Sequence, residues 1–314
     1  MKAVRIHEYG GPEVLRYEDA PDPTIGDDDV LVSVHAASVN PIDWKIREGM
    51  RRDRNERLPL ILGWDVSGVV ETVGANVTRF KMGDAVYGRP DIARDGMYAE
   101  LAAVRANELA RKPASLDHIH AAAVPLTALT AWQSLFEAAP GFQGANLRAG
   151  QTVLIHAAAG GVGTFAVQLA KERGARVVGT CSARNADYVR SLGADVTIDY
   201  ETTRFEDVVK DVDVVMDYAG GDVGERSWRV LKKGGILVSI TTHHDEAVAT
   251  KHGVRTGYVF VQPSGVKLEA LAAMIDAGKL RVFVSGVLPL SRAREAHEAS
   301  QARHVRGKIV LRVV

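Results

Sequence analysis

Hydrophobic and polar positions along this chain fall into two regimes. Over the first third, short runs at 3–7, 30–36 and 65–73 place apolar side chains on alternate positions. That is the period of a half-buried strand. Glycine and proline break the runs at Gly10-Gly11-Pro12, Pro21-Asp22-Pro23 and Gly83-Asp84, so a compact, partly closed β domain is expected. From about Thr127 the period changes. Short apolar strands at 152–156, 176–180, 196–200, 212–217 and 235–240 alternate with helical stretches at 164–172, 185–192 and 225–232. Such alternation predicts crossover units, hence a parallel sheet with helices on both faces. The tail reads as a strand at 258–261, helices at 266–277 and 292–301, and a last strand at 308–313. The fold class expected is α/β: a β domain interrupted by a doubly wound parallel-sheet domain.

The segment TVLIHAAAGGVGTFAVQLA carries the most chemistry. A strand runs into a glycine turn, and the turn opens into an amphipathic helix. Free backbone N–H groups and the positive helix end there suit a dinucleotide pyrophosphate. Gly160, Gly161 and Val162 would face the phosphates, and Gly163 would let the helix pack closely on the strand. Ala158 replaces the first glycine of the usual GxGxxG pattern. A glycine triplet alone is weak evidence; within successive strand–helix units it indicates nucleotide binding. About 20 positions further on, an NAD site would place Asp or Glu on the ribose hydroxyls. This chain has Gly179-Thr180-Cys181-Ser182-Ala183-Arg184 instead. Ser182 can donate a hydrogen bond and Arg184 can supply charge, which favours NADPH. Arg184 would equally serve as a solvated residue at a helix start.

Composition narrows the setting. Apolar residues make up 46% and charged residues 25%, with a formal charge of zero, so nothing draws the whole protein to nucleic acid or to an anionic membrane. No apolar run approaches the roughly 20 residues of a membrane span, and MKAVRIHEYGG lacks a secretory core. Cys181 is the one cysteine, which excludes an intrachain disulfide and a multi-cysteine zinc site. A reducing, cytoplasmic setting is expected.

With these blocks in view, the sequence resembles the zinc-free quinone oxidoreductase branch of the medium-chain dehydrogenase/reductase superfamily, the group that includes zeta-crystallin. The resemblance rests on EYGGPEVL, VNPIDWKIREG, LPLILGWDVSGVVETVGANVTRFKMGDAVYG, GMYAEL, AAAVPLTALTAWQSL, AAAGGVGTFAVQLAK, SLGADVTIDY and RGKIVL, in that order along nearly the whole chain. It implies a GroES-like catalytic domain made of 1–122 and 262–314, a Rossmann domain at 123–261, and an active cleft between them. It assigns Ser182 and Tyr200 to the adenosine 2′-phosphate, and Arg303 or the Gly307-Lys308 backbone to the segment that closes on the cofactor. Thr127 falls beside the nicotinamide, as do Gly220, Ser239 and Phe260. Asn40, in the VNPID block, is the expected polar contact to substrate. Relatives carry a phenol shortly after that block, where this chain has Trp44-Lys45, so no acid is assigned; Asp43 is expected to orient backbone.

The Gly-His-Glu block of zinc-dependent members corresponds to Gly63-Trp64-Asp65, and their early ligand cysteine falls in Asn40-Pro41-Ile42-Asp43, which has none. No metal is therefore expected, and the His243-His244 pair reads as solvated. Without a metal, a quinone or conjugated carbonyl is the feasible hydride acceptor, because conjugation spreads the developing charge. A 2-alkenal or enoyl-thioester reductase stays open, as does an NADPH-binding regulator or RNA-binding protein with little turnover. The arginine-rich run 47–57 has no interleaved aromatics, which argues against single-strand binding. A homodimer is expected from an open sheet edge at 258–261.

Overall fold

The computed structural model describes residues 1–50, 58–139, 142–302 and 305–314. The chain divides into two compact units. One comprises Met1–Leu126, Gln262–Gly278 and Val282–Val314; the other comprises Thr127–Val261 and Lys279–Arg281.

The first unit is built around the long strand Asp29–Val39, whose Val30, Val32, Val34 and Ala36 are fully buried. This strand pairs antiparallel with Val66–Val73, Leu101–Arg105 and Lys308–Arg312 in a seven-stranded sheet. Two irregularities in its pairing with Val66–Val73 bend it, as bulges do in partly closed β folds. Ile309 lies opposite Val39, so the last strand of the chain completes the sheet beside one of the first. Helix Pro41–Arg47 follows at once, with Asn40 at its N-cap and Pro41 at its first position, where the missing N–H costs nothing.

The second unit is a six-stranded parallel sheet in the order Val196–Asp199, Arg176–Cys181, Thr152–Ile155, Val212–Asp217, Leu231–Ser239, Arg255–Tyr258. Successive strands move outward from Thr152–Ile155 in one direction and then resume on its other side. This is the doubly wound order, and its reversal marks where ligands enter such sheets, at the carboxyl ends of the strands. Leu154, Val178, Ile198, Val215 and Leu237 pack with Phe205 and Trp228 in one buried cluster. Helix Gly161–Glu172 buries Phe165, Ala166, Val167, Leu169 and Ala170.

Two elements differ from the sequence expectation. The helix read at 225–232 is shorter, Val223–Ser227, and the next strand already begins at Leu231. The exposed Lys232-Lys233-Gly234 stretch of that strand has no apolar alternation to announce it. The outer strand is Arg255–Tyr258, not 258–261. Gly257 explains the choice: a Cβ there would run into the Gln143 carbonyl, so a strand poor in apolar residues is selected by close approach of backbone. The Tyr258 amide donates to Gln143 Oε1 at 3.3 Å, which occupies part of the sheet edge. Among the described residues no helix is long and apolar enough to cross a membrane.

Candidate functional site

The glycine turn lies at the carboxyl end of Thr152–Ile155, the strand beside the topological reversal. Gly160 is the N-cap of helix Gly161–Glu172 and no side chain caps that end; the first backbone bond within the helix runs from Thr164 N to the Gly160 carbonyl at 2.9 Å. The amides of Gly161, Val162 and Gly163 therefore lack helical partners and sit where the helix dipole is positive. Gly163 is held against the turn: a Cβ there would collide with the Ala157 carbonyl and come within 2.7 Å of Ala158 Cα. Ala157 itself adopts a left-handed φ of 54°. The turn is thus a tight bend with amides left over, which suits a pyrophosphate.

Ser182 directly follows the second strand, Arg176–Cys181, and Tyr200 directly follows the third, Val196–Asp199. Cys181 lies opposite Asp199, and the Tyr200 amide donates to the Cys181 carbonyl at 3.2 Å, so Ser182 and Tyr200 are neighbours at one edge of the sheet. Arg184 is exposed, and Tyr200 is 56% exposed. The nearest strand-end carboxylate, Asp199, is turned into its own loop, where it accepts from Glu201 N at 3.1 Å and Thr202 Oγ1 at 3.0 Å. Asn185 Nδ2 donates to Ser182 Oγ at 3.1 Å. Ser182, Asn185 and Tyr200 thus stand together as a polar corner, with exposed Arg184 two residues along from Ser182, and such a corner could hold a phosphate.

Further along the same edge, Asp217 ends the fourth strand and Ser239 the fifth. Asp217 Oδ1 accepts from the amides of Ala219 and Gly220 at 3.1 and 2.8 Å, and Oδ2 accepts from Ser239 Oγ at 3.3 Å. Gly220 has φ 76°, a conformation open to glycine. Asp217 was not singled out from the sequence; a carboxylate at a strand end three residues before a glycine was the available signal. Phe260 lies two residues beyond the last strand and is partly buried. Thr127 is buried in the first turn of helix Pro125–Phe136.

The first unit holds a second polar cluster, entirely buried. Asp65 Oδ2 accepts from Ser38 Oγ at 2.6 Å and Asn40 Nδ2 at 2.8 Å, with Lys308 Nζ 3.5 Å away; its Oδ1 accepts from the Leu126 amide at 2.7 Å. Lys308 Nζ donates to the Val39 carbonyl at 2.9 Å and to Asn40 Oδ1. Burial pushes the Asp65 carboxyl up and the Lys308 ammonium down, and each charge opposes the shift of the other. Four donors converge on Asp65, which holds it as a carboxylate paired to Lys308. Asn40 is therefore fixed through both ends of its carboxamide, and its amide donates to Asp43 Oδ2 at 2.8 Å. Tyr98 Oη donates to the same oxygen at 2.8 Å. Burial raises Asp43 to about 7, against the pull of the Asn40 amide and Tyr98. Asp43 thus orients the backbone at Asn40.

The Lys308 side chain is spent inside this cluster. Gly307 has φ 67° and is packed so that a Cβ would run into the Phe283 carbonyl. Arg303 lies outside the described residues, as do residues 51–57 of the arginine-rich run.

Zinc does not fit here. Trp64 fills the place of the ligand histidine, fully buried, with its indole N–H on the Arg94 carbonyl at 3.2 Å. Asp65 already has a cation and three neutral donors. Among the described residues no group of three or more His, Cys, Asp or Glu is disposed to hold a metal. The histidine pair is likewise otherwise engaged: His243 stacks on Tyr258 with ring centroids 3.7 Å apart, and the His244 side chain is buried, not solvated, 3.8 Å from Asp217.

A β unit closed by both ends of the chain, and a doubly wound sheet with an uncapped glycine-turn helix, define a two-unit dehydrogenase of the dinucleotide-binding class. Residues 26–114 match the family described as alcohol dehydrogenase GroES-like domain, and residues 192–311 the family described as zinc-binding dehydrogenase. The chain is 37% identical to the human mitochondrial NAD(P)H oxidoreductase RTN4IP1, with 100% of this chain and 89% of the relative covered. It is 35% identical to a chloroplastic NADPH-dependent alkenal/one oxidoreductase of Arabidopsis thaliana, covering 99% of this chain and 79% of that one. The solved quinone oxidoreductase of Coxiella burnetii is similar along 100% of this chain and 99% of its own, with a TM-score of 0.93 and 37% identity. The chain belongs to the quinone-oxidoreductase-like branch of the medium-chain dehydrogenase/reductase superfamily.

Proposed function

We propose that this protein is an NADPH-dependent oxidoreductase that reduces quinones or other conjugated carbonyl compounds without a metal. The observation that carries the reading is the corner at the end of the second strand. Ser182, Arg184 and Tyr200 offer hydrogen bonding and positive charge there, while Asp199 is engaged in its own turn. The pyrophosphate is assigned to the amides of Gly161, Val162 and Gly163, and the nicotinamide half to Thr127, Gly220, Ser239 and Phe260. Bound in this way, NADPH supplies the hydride.

A conjugated acceptor needs only hydrogen-bond help in place of a Lewis acid, because its negative charge is delocalised as it forms. Asn40, the polar contact that the family resemblance offers, is fully buried with its carboxamide clamped between Asp65 and Lys308, so we assign it to holding the interior of the first unit and not to touching the acceptor. The plant relative's name favours alkenals and enones as a second substrate class, and quinones follow from the bacterial one. We further assign the protein as a cytoplasmic homodimer. The lone cysteine, buried Cys181, suits a reducing compartment; the homodimer rests on the family resemblance, since Gln143 covers the Gly257–Tyr258 end of the outer strand.

The test is NADPH oxidation, beside an NADH control, with a quinone, an alkenal, an enone and an enoyl thioester. Turnover on conjugated acceptors with preference for NADPH supports the reading. Tight NADPH binding without turnover on any of them would replace it with a sensor or RNA-binding role.

A further inference from the structure

We infer that Asn185 is a positioning residue that aims the Ser182 hydroxyl and so selects a 2′-phosphorylated ligand at the end of the second strand. This rests on the cofactor reading given above and names a determinant of it.

Asn185 stands at the N-cap of helix Ala186–Ser191, and Ser182 at the N-cap of the short 3-10 turn Ala183–Asn185. Asparagine and serine are favoured at such positions because their side chains accept from the first helical amides. Neither does so here: both caps lack a side-chain hydrogen bond. The two side chains are bonded to each other instead, Asn185 Nδ2 to Ser182 Oγ at 3.1 Å. Ser182 forgoes its ordinary capping bond, and Asn185, which is helical at φ −106° and ψ −2° where the turn runs into the helix, turns its side chain back to Ser182.

That contact has a direction. The carboxamide N–H₂ only donates, so Ser182 Oγ accepts and its own proton must point elsewhere. No hydrogen bond donated by that hydroxyl is found among the described residues, and Ser182 is only 4% exposed, so bulk water does not set its orientation. A hydroxyl left to donate away from Asn185, two residues along the chain from exposed Arg184, is matched to an acceptor with several oxygens and negative charge. A phosphate monoester meets that description; a ribose hydroxyl can also accept, but as a single neutral oxygen it gains less than a charged acceptor does.

The experiment measures binding of adenosine 2′,5′-bisphosphate and of adenosine 5′-monophosphate to the whole protein by calorimetry, with thermal unfolding alongside. The variants are Asn185→Ala, Asn185→Asp and Ser182→Ala. Loss of one oriented hydrogen bond predicts that Asn185→Ala weakens the bisphosphate about five-fold and leaves the monophosphate unchanged, with no fall in melting temperature. Asn185→Asp should weaken the bisphosphate further, because a carboxylate can only accept from Ser182 and adds a like charge. If Asn185→Ala weakens both ligands equally, or lowers the melting temperature without changing selectivity, the residue is structural and the inference is overturned. If Ser182→Ala selectively weakens the bisphosphate while Asn185→Ala does not, only the role of Asn185 fails. If Ser182→Ala leaves both ligands untouched, the cofactor reading itself fails at this corner.

Discussion

Lys308 and Ser182 show how much can hang on one side chain in each unit. Replacing Lys308 by Met strands the Asp65 carboxylate in a buried site, although Ser38, Asn40 and the Leu126 amide still donate to it. Breaking a buried pair on one side costs about 3 kcal/mol or more, so urea unfolding of Lys308→Met should show a loss of that order. The double variant with Asp65→Asn should recover much of it. A double variant as unstable as the single one would show that the bonds of Lys308 to the Val39 carbonyl and Asn40 Oδ1, not the charge pair, carry the stability. In the other unit, Ser182→Asp should invert the preference of NADPH over NADH, since a carboxylate repels a 2′-phosphate and accepts from ribose hydroxyls. The ratio of kcat/KM for the two cofactors reads this directly. Gly163→Val places a side chain against the Ala157 carbonyl. Overpacking of this kind costs about 1–3 kcal/mol and should also abolish nucleotide binding. At this scale the sequence was informative where a residue acts through its own chemistry, as at Trp64 or Gly163. It was silent where the partner is distant: nothing in RGKIVL shows that Lys308 meets Asp65, 243 positions earlier.

Elements were legible in proportion to how local their causes are. The strand at Val212–Asp217 and the glycine-turn helix follow from apolar periodicity and a turn signal, and both are found where those signals lie. The outer strand was misplaced because β propensity favours Val259-Phe260-Val261, whereas the structure selects Arg255–Tyr258 through the approach of Gln143 to Gly257. Helix Pro41–Arg47 offers a pH test of a local arrangement. Asp43, raised to about 7 by burial, keeps its proton in the folded chain at pH values where the unfolded chain has already released it. Its contribution is complete below about pH 4 and is lost as pH rises towards 7. Asp43→Asn cannot titrate, so relative to the parent the variant should gain roughly 2 kcal/mol between pH 5 and pH 7. Urea midpoints at the two pH values measure the difference. A constant difference would mean that Asp43 is ionised throughout.

For the whole molecule, the proposed function carries two expectations. With Trp64 and the Asp65–Lys308 pair where a zinc site would need ligands, prolonged dialysis against a chelator should leave turnover unchanged. Gel filtration at micromolar concentration should give twice the chain mass of 33.8 kDa; a single species at that mass would remove the dimer.

The pairing of Lys308–Arg312 with Asp29–Val39 also bears on how the chain is made. The sheet of the first unit and the cation opposite Asp65 both await Lys308–Arg312, which is made only after the whole of Thr127–Val261. Thr127–Val261, by contrast, forms nearly the whole of the other unit and is synthesised without interruption. During translation the second unit can be finished while the first is still an open sheet with an unpaired interior carboxylate. The nascent chain is therefore most exposed to chaperones and proteases through Met1–Leu126, and a stall or premature stop anywhere before residue 308 leaves that region without its closing strand.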